Sequence, residues 1–308
     1  MQKIRTLQDL RGIAILMVVF YHSGKHYTEL VVHGDNGVLL FFIISGFIIA
    51  SVHKKDQGLG NFITFMKKRI ARIHFPYIPL ALVFIFLFWF SGKGSEYHHD
   101  PINIIRNILL IQNPSESIHP YAWTLVFEMF YYTLFGSLYI ILNRGLLPFS
   151  IALLIPPLVY YFFNIGGNLN LITSFNNLYF LGGVFLGYFS DKLKFDSKLY
   201  MVIPLFIVFL ALPFYTKDDF IILISTFIFF IFYLRLNFNL RLLEKIGNAS
   251  YTIYLSHGLI LVVGKYFISD DLIRFVLLFL ISIIGGYFYF LATENRLTKI
   301  GKKVLALS

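Results

Sequence analysis

Residues 36–53 read NGVLLFFIISGFIIASVH, and this stretch decides the fold class. It holds no Lys, Arg, Asp or Glu. As a helix rising 1.5 Å per residue it is about 27 Å long, close to the roughly 30 Å hydrocarbon core of a bilayer. Backbone amides find no water there, so such a segment must pair them internally. Working outward, comparable windows lie near 8–28, 76–92, 122–142, 147–163, 174–190, 199–215, 219–236, 250–268 and 271–292. The expected fold is therefore an all-α integral membrane protein, a bundle of about ten transmembrane helices. A single polytopic domain over 1–308, with no soluble domain, is expected.

The composition agrees: 57% of residues are hydrophobic, 14% are charged and the mean hydropathy is +0.73, against about 25% charged residues in an average soluble domain. The 36 Phe and 20 Tyr against 2 Trp suit lipid-facing helices with interfacial tyrosines. There is no Cys, which excludes a cysteine nucleophile, a disulfide framework and a cysteine-based metal site. Zinc-helix, phosphate-loop and dinucleotide-binding patterns are absent. His98, His99 and Asp100 are read as a solvated loop, so neither a metal nor a bound cofactor is expected. The opening MQKIRTLQDLRGIAILMVVFYH lacks a small-residue cleavage site and reads as a retained first helix.

The formal charge of +10 does not point to nucleic acid, because the basic residues sit in short loops between apolar segments. Ten spans assign alternate loops to opposite faces. One face collects Lys3 and Arg5, the cluster from Lys54 to Arg72, Arg144, the lysines from Lys192 to Lys198, Arg235 to Lys245, and Arg296 to Lys303. The other holds only Lys25, Lys93, Arg106, Lys217 and Arg274, while Arg11 and Lys265 lie in or at the ends of helices. Both termini are thus expected in the cytoplasm. Residues 54–75, KKDQGLGNFITFMKKRIARIHF, place Phe62, Phe65, Met66, Ile70 and Ile73 at helical spacing beside basic residues, which predicts an amphipathic helix at the cytoplasmic interface. The external connection 93–121 contains INIIRNILLIQN, a candidate short interfacial or re-entrant helix.

Ionisable groups inside a bilayer are functional candidates by default. Arg11 and His22 are eleven residues apart on the first helix, within about 20° of one face and roughly 16 Å apart along the axis. They read either as an anion site joined to a titratable base, or as a snorkelling helix-end residue and a polar interfacial one. Glu128 matches His22 in depth, so it either orients the imidazole and sets its tautomer or forms a packing ion pair elsewhere. His257, with Tyr254 on the same face, is either a further functional histidine or a neutral one bonded to a hydroxyl. Ser45 beside Gly46 is read as close helix packing before it is read as a nucleophile. Arg69 and Arg72, with Lys68, either set topology or grip phosphates bidentately.

Five ordered elements carry a resemblance to a known family. They are Leu10, Arg11, Gly12 and Ile13 through Tyr21 and His22; Gly37, Val38, Phe41, Phe42, Ser45, Gly46 and Phe47; Arg69 and Arg72 followed by Pro76 and Tyr77; Trp123, Thr124, Leu125, Glu128, Phe130 and Tyr131; and Ser250, Tyr251, Ile253, Tyr254, Leu255 and His257. The chain resembles the bacterial acyltransferase family 3, membrane-embedded acyltransferases of surface polysaccharides, in its stand-alone type.

The resemblance implies O-acetylation: transfer of an acyl group, commonly acetyl from cytosolic acetyl-CoA, to a hydroxyl of a cell-surface polysaccharide such as lipopolysaccharide, or of its lipid-linked precursor. It places Arg11, Arg69 and Arg72 on the coenzyme A phosphates and His22, oriented by Glu128, as general base. Ser45, Trp123, Tyr254 and His257 support the site. The expected location is the bacterial cytoplasmic (inner) membrane, among lipid, with acyl-CoA and a glycan acceptor as partners and no nucleic acid. A proton-coupled secondary transporter would also bury His, Glu and Arg in helices, but paired broken helices in two halves are missing from the sequence. A structural protein of polysaccharide export would have no need of Arg11 and His22 on one stripe.

Overall fold

The structure is a computed structural model that describes residues 2–24, 36–92, 95–143, 145–163, 171–192, 197–236, 240–264, 267 and 271–307. Lys25, Lys93, Arg144, Lys194 and Lys265 of the expected charge pattern lie outside them. Among the described residues thirteen α-helices follow in order: α1 (Gln2–Gly24), α2 (Asn36–His53), α3 (Gly58–Ser91), α4 (Pro101–Leu109), α5 (Trp123–Phe135), α6 (Leu147–Phe163), α7 (Asn176–Tyr188), α8 (Leu199–Tyr215), α9 (Asp219–Leu234), α10 (Arg241–Asn248), α11 (Ser250–Gly264), α12 (Asp271–Tyr289) and α13 (Asn295–Val304). Among the described residues there is no strand beyond the single bridge Ser197–Leu236. The described part of the protein is therefore all-helical.

Each expected window holds a helix, but length and apolar composition separate them, and α1, although 23 residues long, is not among those that suffice. Among the described residues, four helical stretches suffice by length and apolar composition to cross a membrane: Asn36–His53, Gly58–Ser91, Trp123–Ile141 and Asp271–Val304. A fifth follows if α10 and α11, bent by 69°, form one span. Leu147–Phe163, Leu199–Leu212 and Asp219–Leu234 are apolar and shorter.

One difference from the sequence reading is clear. The expected interfacial segment 54–75 and the span beginning at 76 form one helix of 34 residues, α3, which runs through Pro76 and Pro79. Each proline deletes one N–H from the ladder, leaving the carbonyls of Arg72 and Phe75 without their usual donors. Tyr77, Leu80, Ala81 and Phe84 are buried just beyond, so packing holds the helix through the interruption.

Backbone packing divides the chain into two compact units, Met1–Lys54 with Leu178–Tyr287, and Lys55–Asn177 with Phe288–Ser308. In the first, α1 packs on α10, α2, α11 and α9. Glycines set these approaches. A Cβ at Gly247 of α10 would overlap the Gln8 carbonyl oxygen of α1, and one at Gly12 would lie 2.5 Å from the Leu243 carbonyl oxygen. Between α2 and α7 the same holds for Gly46 against the Phe180 carbonyl, and for Gly183 and Gly187 against those of Ile43 and Phe47. In lipid, apolar side chains gain little by leaving hydrocarbon for protein, so such close backbone contact supplies the packing energy. α8 and α9 meet through Phe209 and Phe229, stacked at 5.3 Å.

In the second unit α3 is the central helix, packed on α13, α4, α5 and the π-helical turn Gly136–Ile141 that extends α5. Asp100 starts α4 by accepting from the backbone N–H groups of Ile102 and Asn103, with Pro101 at the first helical position. Asn107 ties the connection between α3 and α5 together. Its side chain donates to Tyr97 Oη at 2.8 Å and to the Asn103 and Glu116 carbonyls, accepts from the Ile118 N–H at 2.8 Å, and its own carbonyl accepts from Tyr77 Oη.

Replacing Gly247 with Val forces α10 off α1 and is expected to abolish monodisperse folded protein, whereas Gly60→Ala, with nothing within 4 Å, is expected to be neutral or slightly stabilising. Size-exclusion profiles and thermal unfolding in detergent read the contrast. Asn107→Ala strands several buried groups and is expected to destabilise by about 2–4 kcal/mol, seen as an earlier unfolding midpoint.

Candidate functional site

In the first unit α1 is one uninterrupted α-helix from Gln2 to Gly24, so Arg11 and His22 do lie on one stripe. Ile15 and Val18, between them on that stripe, are fully buried, while Arg11 and His22 are half-buried. The stripe therefore faces protein rather than lipid. Arg11 Nη1 donates to Gln8 Oε1 at 3.3 Å, one turn earlier.

The His22 Nδ1 lies 2.9 Å from the Val18 carbonyl. A carbonyl can only accept, so Nδ1 carries the proton and, in the neutral ring, the basic lone pair resides on Nε2. The ring stands 5.2 Å from that of His257, centre to centre. His257 on α11 is fully buried, and its Nδ1 donates to the Tyr254 carbonyl at 2.5 Å. The Tyr254 ring lies 5.6 Å from His257 and 6.3 Å from Phe41 of α2. Two histidines from separate helices, each held in the same tautomer by a carbonyl of its own helix, thus face one another. Ser45 is half-buried on α2, next to the Gly46 packing contact.

Asp9 went unremarked in the sequence reading. It is 1% exposed, its Oδ2 accepts from the Leu240 N–H at 3.3 Å, and its Oδ1 makes no hydrogen bond among the described residues. Leu240 caps α10 with no side-chain acceptor of its own, so Asp9 ties the start of α10 to α1. The available signal was an acid two residues before Arg11 in an apolar helix.

In the second unit Glu128 is half-buried on α5, and the Tyr132 hydroxyl one turn later donates to its Oε1. The Tyr132 ring carries on its face the guanidinium of Arg69, 5.1 Å from the centroid, and the Phe65 ring takes the same group at 5.2 Å. Arg69 is 9% exposed whereas Arg72 and Lys68 are exposed. The arginine pair is thus split: one member is held between two aromatic rings within electrostatic range of Glu128, and the other faces outward. Tyr132 is the residue that sequence reasoning missed, although its spacing from Glu128 is that of helix-surface neighbours. Trp123 opens α5 with its ring edge-on to Phe127 at 6.0 Å.

His98 and His99 do not converge on a ligand. His98 Nδ1 accepts from the Ser95 N–H, and His99 Nδ1 donates to the Ser95 carbonyl, so both cap a short turn. Among the described residues no group of three or more His, Cys, Asp or Glu stands together as a metal site.

Tyr132→Phe keeps the ring beneath Arg69 and removes only the donor to Glu128, whereas Tyr132→Leu removes both. Thermal unfolding is expected to rank them wild type, then Phe, then Leu, the last step worth about 1–2 kcal/mol of cation–π and packing energy.

The comparisons with known proteins agree on one family. A protein of Shigella phage Sf6 named O-acetyl transferase is 30% identical over 165 residues, covering 47% of this chain and 49% of its own. A protein of Staphylococcus aureus (strain COL) named as an O-acetyltransferase is 35% identical over 86 residues, 27% of this chain and 14% of its own. The alignments thus span about half of the phage protein and a small part of the staphylococcal one. No solved structure matches. The family model described as an acyltransferase domain matches residues 7–291 of the 308, and this chain belongs to that family, acyltransferase family 3.

Proposed function

We propose that the protein is a membrane O-acyltransferase that moves an acyl group, acetyl in the first instance, from cytosolic acyl-CoA to a hydroxyl of a cell-surface polysaccharide or its lipid-linked precursor. The observation that carries this reading is His22: a half-buried imidazole on α1, held by the Val18 carbonyl in the tautomer that puts its basic lone pair on Nε2 and backed by the ring of His257. Family membership and the O-acetyltransferase names of the relatives support it.

In this reading His22 Nε2 takes the acceptor hydroxyl's proton as that oxygen attacks the thioester carbonyl. The coenzyme A sulfur leaves, and the proton passes to it, so the products are the ester and free coenzyme A. Arg11, Arg69 and Arg72 hold the donor's phosphates. Arg69 suits that work because its ring partners fix the planar guanidinium before any ligand arrives. His257 and Tyr254 hold the base in place, and Ser45 and Trp123 support the site. Glu128 is assigned to orient His22, as the sequence reading had it.

The same proposal includes the finer architecture: one polytopic domain of about ten transmembrane helices, the first part of α3 at the cytoplasmic interface, both termini in the cytoplasm, and residence in the bacterial inner membrane. The Lys and Arg asymmetry between alternate loops supports that topology.

Membranes containing the protein, given labelled acetyl-CoA and the host's glycan, are expected to transfer label, and His22→Ala is expected to lower the rate about 100-fold or more. Label transferred equally well by His22→Ala would remove the assigned base. If Glu128 acts through His22, the double variant with Glu128→Gln loses no more than His22→Ala alone; additive losses would separate them. Arg69→Lys, which breaks a planar fit, is expected to raise the KM for acyl-CoA with a smaller change in kcat.

A further inference from the structure

α3 is longer than a bilayer needs. Its residues 73–91 carry no Lys, Arg, Asp or Glu and span about 28 Å, one hydrocarbon thickness. Residues 58–72 therefore project beyond it, and the boundary falls between Arg72 and Phe75. At that level α13 crosses: a Cβ on Gly301 would lie 2.7 Å from the Phe75 ring and 3.1 Å from the Ala71 Cα, so the two helices touch nearly backbone to ring. This contact fixes the depth of α13 at the headgroup layer.

The helical wheel then fixes which residues look outward. Counting about 100° per residue from Gly301, Arg296, Lys299 and Lys303 fall within roughly 60° of one another on the side opposite α3. All three are exposed, as is Lys302 beside them. Next to this stripe stand exposed apolar side chains, Ile300 at 52% and Val304 at 68%. On the projecting part of α3, Lys68 and Arg72 are exposed one turn apart, with Leu59 and Ile63 exposed further out. No Asp or Glu lies within α13. Basic groups alternating with exposed aliphatic ones, at the depth of the headgroups, match the chemistry of a surface that seats on anionic lipid. A site for a soluble phosphate ligand would have no use for Ile300 and Val304 in the open.

We propose that α13, held against α3 through Gly301, is a docking surface for anionic phospholipid headgroups, with Arg296, Lys299 and Lys303 as its contacts. The assignment goes beyond the acyl-transfer reading and does not depend on it, because it uses only the apolar span of α3 and the packing of α13.

The full-length protein in nanodiscs tests it. An amine-acetylating reagent, read out at each lysine by mass spectrometry, is applied in zwitterionic phosphatidylcholine discs and in discs that include phosphatidylglycerol. Labelling of Lys299 and Lys303 is expected to slow about fivefold or more in the anionic discs, relative to the exposed Lys217 in the same molecule. High salt is expected to restore it. Equal rates in both discs would overturn the proposal. Slowing that appears only when coenzyme A is added to zwitterionic discs would also overturn it, assigning the stripe to the donor's phosphates instead. As a second measurement, native mass spectrometry should find fewer retained phosphatidylglycerol molecules on the Arg296→Gln, Lys299→Gln, Lys303→Gln variant than on wild type, with acyl transfer in detergent unchanged. Equal retention would count against it.

Discussion

At Gly12 and Gly247 the backbones of α1 and α10 come so close that neither position has room for a methyl group. Much of the first unit follows from this contact. Hydrocarbon solvates leucine as well as another helix does, so burial of apolar side chains cannot by itself select one arrangement of membrane helices. Surfaces that fit at backbone distance can. The contact sets α10 against α1, α11 continues from α10 after a sharp bend, and α11 brings His257 to His22. The histidine pair depends on two residues that have no side chain.

Polar groups add a second layer of specification. Asp9 holds the first backbone N–H of the α10 entry, Asn107 gathers three strands of connection in the second unit, and each imidazole of the His22–His257 pair is bonded to its own helix. In a low-dielectric surrounding these bonds are strong because the alternative is an unsatisfied group. They also leave ring orientation little freedom, which is what an acid–base group needs if its reactive nitrogen is to meet a substrate repeatedly in one geometry.

The helical class and the helix positions were legible from runs such as 36–53, because in lipid the backbone admits no other solution. The shared stripe of Arg11 and His22 was legible too, since helical phase is arithmetic. Non-local partnerships were not. Nothing local to Arg69 announces that Phe65 and Tyr132 enclose it, although Phe65 lies one turn away, because the Tyr132 ring comes from another helix. The continuity of α3 through Pro76 and Pro79 was hidden for a different reason: the two prolines weaken the helix locally, and the packing of Tyr77 and Phe84 that sustains it is a property of the unit, not of the segment.

The π-helical turn Gly136–Ile141 fits one residue more per hydrogen-bonded loop than an α-helix does. Upstream, α5 keeps Glu128 and Tyr132 in register with Arg69; downstream, Gly136 meets the Phe62 ring, while Phe135 and Tyr139 stack on each other at 4.8 Å. The widened turn works as a phase adjuster between two halves of one rod, letting the half that carries Glu128 and the half beyond Gly136 obey different neighbours. Loss of a single residue from it would restore ideal winding and leave both halves facing about the same neighbours, whereas loss of one residue from the α-helical stretch before it would turn everything downstream by about 100°.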